Sequence, residues 1–267
     1  MEQLLALLQK YQSLNLSQVI DYDKFNQFAI THHSTNIEGS TLTEIETQLL
    51  LDEGQTPKGK PLGHSLMVKD HYQALLFVLD QAQQKTAISP VFVKKINALV
   101  LKNTGATYKT ILGEVDSSMG EYRLGNVRAG NRYFANYAKV AQLTEALCTK
   151  LMEELNVTET IEQQLVLSFD AHFDLVSIHP FYDGNGRTAR LLMNYIQSWF
   201  GLPLAIVFSE DKADYFEALE KTRDIEDLTP FRSFMFSQYE KHLTTEIKRY
   251  EAAQDGTLKG GGFSFVF

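Results

Sequence analysis

The chain has 267 residues, 44% of them hydrophobic and 22% charged, the balance of a soluble globular protein with enough length for a sizeable core. Its formal charge is −8, from 25 basic and 33 acidic residues. No overall basic field therefore exists to draw nucleic acid, although a local cationic site for a phosphorylated small molecule is not excluded. With Cys148 as the single cysteine, neither an intrachain disulfide nor a thiolate zinc site can form. Acidic Glu2 near the start and the lack of an apolar run of about 18 residues predict no secretory leader and no membrane span, hence a cytoplasmic, reducing setting.

Apolar residues recur at helical spacing along most of the chain. Leu4, Leu5 and Leu8 make one stripe over residues 2–11. Thr41 and Glu44 have capping-box spacing, with Ile45, Leu49 and Leu50 expected on one face of the helix that follows. Five glycines and prolines between 52 and 65 mark a loop. Met67, His71, Leu75, Val78 and Leu79 predict a helix over 64–84, and Ser89-Pro90 starts another that carries Phe92, Ile96 and Val100. Residues 113–134 hold Gly113, Gly120, Gly125 and Gly130 and read as a hairpin among helices. Residues 131–155 and 159–177 read as two more helices. Thr229-Pro230 caps a last one, with Phe231, Phe234, Met235 and Tyr239. The tail, Gly260 to Phe267, reads as a short edge strand or a docking tail.

The segment with chemistry in it is His179-Pro180-Phe181-Tyr182-Asp183-Gly184-Asn185-Gly186-Arg187-Thr188-Ala189-Arg190. Apolar helix residues up to Ile178 deliver a histidine to a turn stiffened by Pro180. Gly184 and Gly186 let the backbone fold tightly, and a helix starts at about Gly186. Its first-turn N–H groups and dipole make a nest for phosphate. Arg187 and Arg190 project from one face of that helix beside the nest. Asp183 is placed to hold a divalent cation, a hard ion that takes carboxylate and phosphate oxygens. His179 is the group suited to take a proton near neutral pH. A His-Pro, a Gly-Asn-Gly or a pair of arginines alone is an ordinary helix end, turn or solvated face. Their joint spacing points instead to transfer of a phosphate-containing group to a hydroxyl.

This stretch resembles the signature of the Fic (Fido) family, H-P-F-x-[D/E]-G-N-G-R-x-x-R, at every specified position. The similarity runs over roughly 90–235: Gly120-Glu121-Tyr122-Arg123 resembles the start of the family's flap, and Ala171-His172-Phe173 its helix into the motif. The resemblance implies a mainly α fold, a helical bundle with a β-hairpin flap. It implies a layout of an N-terminal helical region over 1–85, a core domain over 86–240, and a helix end with a Gly-rich tail over 241–267. Most members transfer AMP from ATP to a Ser, Thr or Tyr hydroxyl of a protein. On that pattern His179 is the general base and Asp183 the ligand of Mg²⁺ or Mn²⁺. The backbone of Gly184, Asn185 and Gly186 is the anion hole, with Asn185 also on the α-phosphate. Arg187 and Arg190 bind the outer phosphates.

Ser34-Thr35-Asn36-Ile37-Glu38-Gly39 matches [S/T]-x-x-x-E-[G/N], the inhibitory motif of many Fic proteins, placed as in the class with an N-terminal inhibitory helix. A Glu38 carboxylate reaching Arg190 would neutralise the cation meant for the γ-phosphate. Tyr215 and Phe216 resemble a segment that flanks the adenine base, against the alternative of an amphipathic helix burying Phe216 and Leu219. Arg223 stands where some relatives carry Asn. The flap around Val127, Arg128 and Ala129 is expected to pair with an extended target segment, or else to be a plain surface hairpin. His32 and His33 have no metal spacing with a third ligand, and Trp199 reads as core. The expected partners are ATP and a hydroxyl-bearing protein, this chain itself included; no nucleic acid and no membrane; an oligomer is compatible. The competing readings are removal of AMP by the same site with Glu38 positioning water, a different donor such as another nucleotide or phosphocholine, and a nucleotide-binding module without turnover.

Overall fold

A computed structural model describes residues 1–16, 19, 21–129 and 132–254. Gly130 of the flap and the tail from Gly260 to Phe267 lie outside the described residues. The elements in order are α1 (Glu2–Ser13), α2 (Tyr22–Ile37), α3 (Glu44–Asp52), α4 (Leu62–Gln83), α5 (Pro90–Val100), β1 (Thr107–Thr110), β2 (Gly113–Asp116), β3 (Arg128–Ala129), β4 (Arg132–Tyr133), α6 (Val140–Val157), α7 (Ile161–Ile178), α8 (Asn185–Trp199), α9 (Lys212–Ile225) and α10 (Thr229–Gln254). The fold is mainly helical with two small antiparallel hairpins, β1–β2 and β3–β4.

The organising element is α8. Every residue from Arg187 to Gln197 is buried, so this helix is surrounded on all sides, unlike an amphipathic surface helix. Helices α4, α5 and α7 pack around it, and Leu191, Leu192, Tyr195 and Ile196 are shut off from water. Each such large apolar side chain contributes about 1.5–3 kcal/mol by leaving water. The single shell around α8 fixes the direction of its N-terminus, where the motif lies.

Several boundaries follow local chemistry. Ser89 caps α5 by accepting from Phe92 N–H, with Pro90 in the first turn, and Thr160 forms a capping box with Gln163 at the start of α7. The capping box expected at Thr41 and Glu44 is two residues later: Thr43 and Glu46 exchange the two bonds. The buried face of this helix carries Thr47 and Leu50, and Ile45, expected to share a face with Leu50, is 60% exposed. The helix expected from 131 begins only at Val140, because the preceding residues complete the second hairpin and a short turn capped by the Asn136 side chain. The last helix starts at Thr229, whose N–H and hydroxyl both donate to Asp227 Oδ1, so Asp227 supplies the capping acceptor. Trp199 is half-buried against the core, with Lys85 Nζ 4.6 Å from its ring centroid.

Candidate functional site

Helix α7 ends at His179, whose backbone is left-handed at φ 53° and ψ 60° while its N–H still donates to Leu175 O. A residue with a Cβ tolerates this conformation at some cost, and it turns the chain sharply back toward α8. Asn185 closes the turn: its Oδ1 accepts from Phe181 N–H at 3.0 Å and its Nδ2 donates to Phe181 O at 2.9 Å. Asn97 of α5 braces the same turn, donating to Asp183 O at 3.0 Å and to Thr188 Oγ1 at 3.1 Å. Gly184, at φ 77°, is the N-cap of α8, and a Cβ there would lie 2.8 Å from Asn97 Nδ2. Helix α8 begins at Asn185, one residue before the expected start, and no side chain caps it. Its first-turn N–H groups are the kind of donor a ligand anion completes.

Arg187 and Arg190 are 2% and 3% exposed. Arg190 donates from Nε to Ser34 Oγ at 2.8 Å, and from Nη2 to Ser34 O at 3.0 Å and Glu38 Oε1 at 2.7 Å. Arg187 Nη2 reaches Asp183 Oδ1 at 3.4 Å. Arg187 Nε and Nη1 and Arg190 Nη1 are buried without a partner among the described residues. Buried charged donors are seldom left so, and three of them beside an uncapped helix N-terminus describe a place for a multiply charged anion. Glu38 follows the last residue of α2, and its carboxylate lies over Gly186: a Cβ on Gly186 would collide with Glu38 Oε1. Burial raises the Glu38 carboxyl, but Arg190 and Arg187 outweigh it, and the group is held below its ordinary value.

His179 Nδ1 is 3.4 Å from Val176 O. A carbonyl only accepts, so this contact places the proton on Nδ1 and leaves Nε2 as the acceptor. Burial, then the Arg123 and Arg223 charges, push the imidazole down to about 4 against the pull of the Val176 bond and of Glu38, so it is neutral near pH 7. Asp183 Oδ1 accepts from Gly184 N–H at 2.6 Å, and the side chain is 49% exposed. Among the described residues no group of three or more His, Cys, Asp and Glu is placed to hold a metal. A lone half-exposed carboxylate beside an anion site suits Mg²⁺ arriving with phosphate oxygens, the usual mode for that ion.

The remaining sequence candidates separate. Tyr215 is 1% exposed and shares a 2.9 Å hydrogen bond with His172 Nε2. Phe216 is 46% exposed, contrary to the helix face that buried it with Leu219, and it is the member of the pair whose ring faces outward. Arg128 and Ala129 form β3, paired with Tyr133 and Arg132 of β4, and Val127 O accepts from Phe134 N–H. His32 and His33 pack and hydrogen-bond, His32 to Thr47 Oγ1 and His33 to Ser209 Oγ.

Other residues of the site were given no role in it by their sequence context. Arg123, 1% exposed, donates from Nε to His179 O at 2.8 Å and from its Nη atoms to Gly125 O and Ala135 O. It thus ties the flap to the histidine. Tyr108 of β1 stacks on Tyr182 of the motif, centroids 4.4 Å apart and planes 18° apart. In place of the single hairpin expected over 113–134 there are two, and β1 of the first lies ahead of those bounds because Ile111 and Leu112 at its turn give no Gly or Asn signal. His71 of α4 is fully buried, has no partner on either ring nitrogen among the described residues, and is kept neutral by burial and by Arg190 and Arg187.

Residues 87–197 match the Fic/DOC family. The chain is 26% identical over 242 residues to "Protein adenylyltransferase fic-1" of Caenorhabditis elegans, covering 88% of this chain and 44% of the relative. It is 31% identical over 217 residues to "Protein adenylyltransferase Fic" of Drosophila melanogaster, covering 81% and 41%. It spans less than half the length of these curated relatives. A Fic-domain-containing signalling protein from Bacteroides thetaiotaomicron superposes with TM-score 0.79 at 26% identity, covering 93% of this chain and 98% of the other. A fic-1 structure from C. elegans superposes with TM-score 0.74 at 25% identity, covering 95% and 72%. Motif, helical fold and relatives agree, and residues 87–197 are the part of this chain that matches a Fic/DOC domain.

Proposed function

We propose that this chain transfers AMP from ATP to a Ser, Thr or Tyr hydroxyl of a protein, and that Glu38 holds the site inactive. One observation carries the reading. Partnerless buried donors of Arg187 and Arg190 flank the uncapped start of α8, on the same turn as a histidine whose Nε2 is a bare acceptor. A nucleotide-binding module needs the first feature and has no use for the second. The activity in the names of the relatives, protein adenylyltransferase, is the same chemistry.

In the proposed reaction the first-turn N–H groups of α8 and Asn185 hold the α-phosphate, while Arg187 and Arg190 hold the outer phosphates. The target hydroxyl gives its proton to His179 Nε2 as its oxygen attacks the α-phosphorus. The bond from the α-phosphorus to the oxygen bridging to the β-phosphate breaks, and pyrophosphate leaves against the two arginines. Asp183 would hold Mg²⁺ or Mn²⁺ together with phosphate oxygens, and the ion would offset charge on the leaving group. Positioning and charge stabilisation do the work, with no covalent intermediate. Phe216, beneath Lys212, is the ring available to an adenine base.

Glu38 contacts Arg190 and lies over Gly186, so it competes for the γ-phosphate position and leaves ATP misaligned. The test of the reaction class is the position of the label. With Glu38→Gly and Mg²⁺, α-labelled ATP should mark protein and γ-labelled ATP should not; EDTA should stop it. Label transferred from the γ-position, or none from either, would overturn the assignment.

A further inference from the structure

We infer that Phe134 of the flap is a positioning residue that holds the His179 imidazole in its proton-accepting orientation. The inference rests on the proposed AMP transfer and adds a residue to it. The His179 and Phe134 rings are stacked, with centroids 3.9 Å apart and planes 16° apart. The hairpin's alternation explains why Phe134 faces inward. Strand side chains alternate faces, so Arg132 and Phe134 share one face and Tyr133 takes the other. Arg132 meets Glu220 and Asp224 of α9, Phe134 meets His179, and Tyr133 is 71% exposed. Phe134 N–H donates to Val127 O at 3.2 Å, which closes the base of the hairpin and fixes where its ring starts.

An imidazole can turn about its Cβ–Cγ bond, and only one narrow range of that torsion keeps Nδ1 on Val176 O and Nε2 toward an incoming hydroxyl. The 3.4 Å contact to Val176 O is a long one for this duty. The Arg123 bond holds the backbone of His179 and leaves its ring free to turn. The Phe134 face supplies the missing restraint, since rotating the imidazole would break a parallel stack. Arg223 backs the assembly: its guanidinium carbon is 5.9 Å from the Phe134 centroid and 5.6 Å from that of Phe173, and its Nη1 donates to Glu220 Oε1 at 3.0 Å. The base is therefore oriented by the hairpin expected to receive the target, and a segment that orders the flap would order the base as well.

The test uses the full chain with Glu38→Gly as parent. Phe134→Leu, which removes the aromatic face at a half-buried position, should lower kcat for AMP transfer by about tenfold or more, since misplacement by about 1 Å can cost ~10²-fold. The KM for ATP should change by less than about twofold, because Phe134 touches no proposed phosphate ligand. Phe134→Tyr should keep kcat within about threefold, because the face survives. NMR of histidine-labelled protein gives a readout independent of turnover. The His179 ring protons should lie upfield in the parent and in Phe134→Tyr, and move downfield in Phe134→Leu. Equal kcat for the Leu and Tyr variants, or a His179 resonance unmoved by Phe134→Leu, would overturn the inference. A Glu38→Gly parent that transfers no AMP would instead strike the functional reading, and the resonance alone would then decide the stack.

Discussion

Two guanidinium–carboxylate contacts flank the candidate site, and they are built differently. Arg190 joins α8 to the end of α2 through Glu38, with side chains 4% and 27% exposed. Arg132 joins the flap to Glu220 and Asp224 of α9, with 30% exposure against 52% and 64%. Water screens the second contact, and exposed pairs of that kind are worth about 0–1 kcal/mol. The first has a desolvated guanidinium fixed by two further bonds to Ser34, so breaking it strands a buried charge. Of the two, the contact at α2 is the one suited to the proposed gate, whereas the contact at the flap joins surface side chains of a hairpin and a helix.

The largest expected effect removes the chemistry from both regions. In the Glu38→Gly background, His179→Ala should lower AMP transfer by about 10²–10⁴-fold, with ATP affinity measured by calorimetry retained. Transfer near the parent rate would show that another group takes the proton. Arg190→Ala should abolish transfer whether or not Glu38 is present, because it removes a phosphate ligand along with the gate's partner. It should also lower the melting temperature more than Arg132→Ala does; the reverse order would break the comparison.

Acid should separate gate from core. His33, His179 and His242 are pushed down to about 4, in each case chiefly by burial. Between about pH 6.5 and 4 the unfolded chain binds protons that the folded one refuses, so stability rises with pH and is lost as pH falls through that window. The Glu38 carboxyl is instead held low. Its contribution is present above its unfolded value of about 4.3 and is lost only as pH falls through its lower folded value. The melting temperature should therefore drop between pH 7 and 5 while wild-type transfer stays suppressed, and His242→Gln should flatten the drop. Release of activity near pH 6 would mean the gate titrates with the histidines. The smallest effect belongs to the flap: Arg132→Ala should cost less than about 1 kcal/mol of stability and shift transfer by less than about fivefold. Its effect should shrink further as salt is raised.

Helical period and start signals made most helices legible, since α4, α5 and α7 carry their own apolar stripes, and α5 and α7 their own caps. The run from His179 to Arg190 stands out in sequence because its proposed chemistry is local: a candidate base, nest, acid and two arginines fit in twelve residues. What stayed hidden depends on distant partners. Arg123 reads only as part of the flap's start until the fold brings His179 O to it from 56 positions away. Asn97 and Phe134 are likewise ordinary in sequence and meet the motif only through α5 and the flap. Phe216 was weighed for burial by its helical spacing, yet Tyr215 is the one that turns inward to His172. At the capping box two Thr–Glu pairs share the same spacing, and the structure uses the later one, Thr43 and Glu46.

In the proposed function the carboxylate over Gly186 decides whether the site works. The direct measurement is the rate of AMP incorporation, by intact mass with ATP and Mg²⁺, for wild type against Glu38→Gly. Glu38→Gly should raise incorporation at least about tenfold, with ATP affinity changed less. Equal incorporation by the two proteins would contradict it and reduce residues 34–39 to the end of a helix.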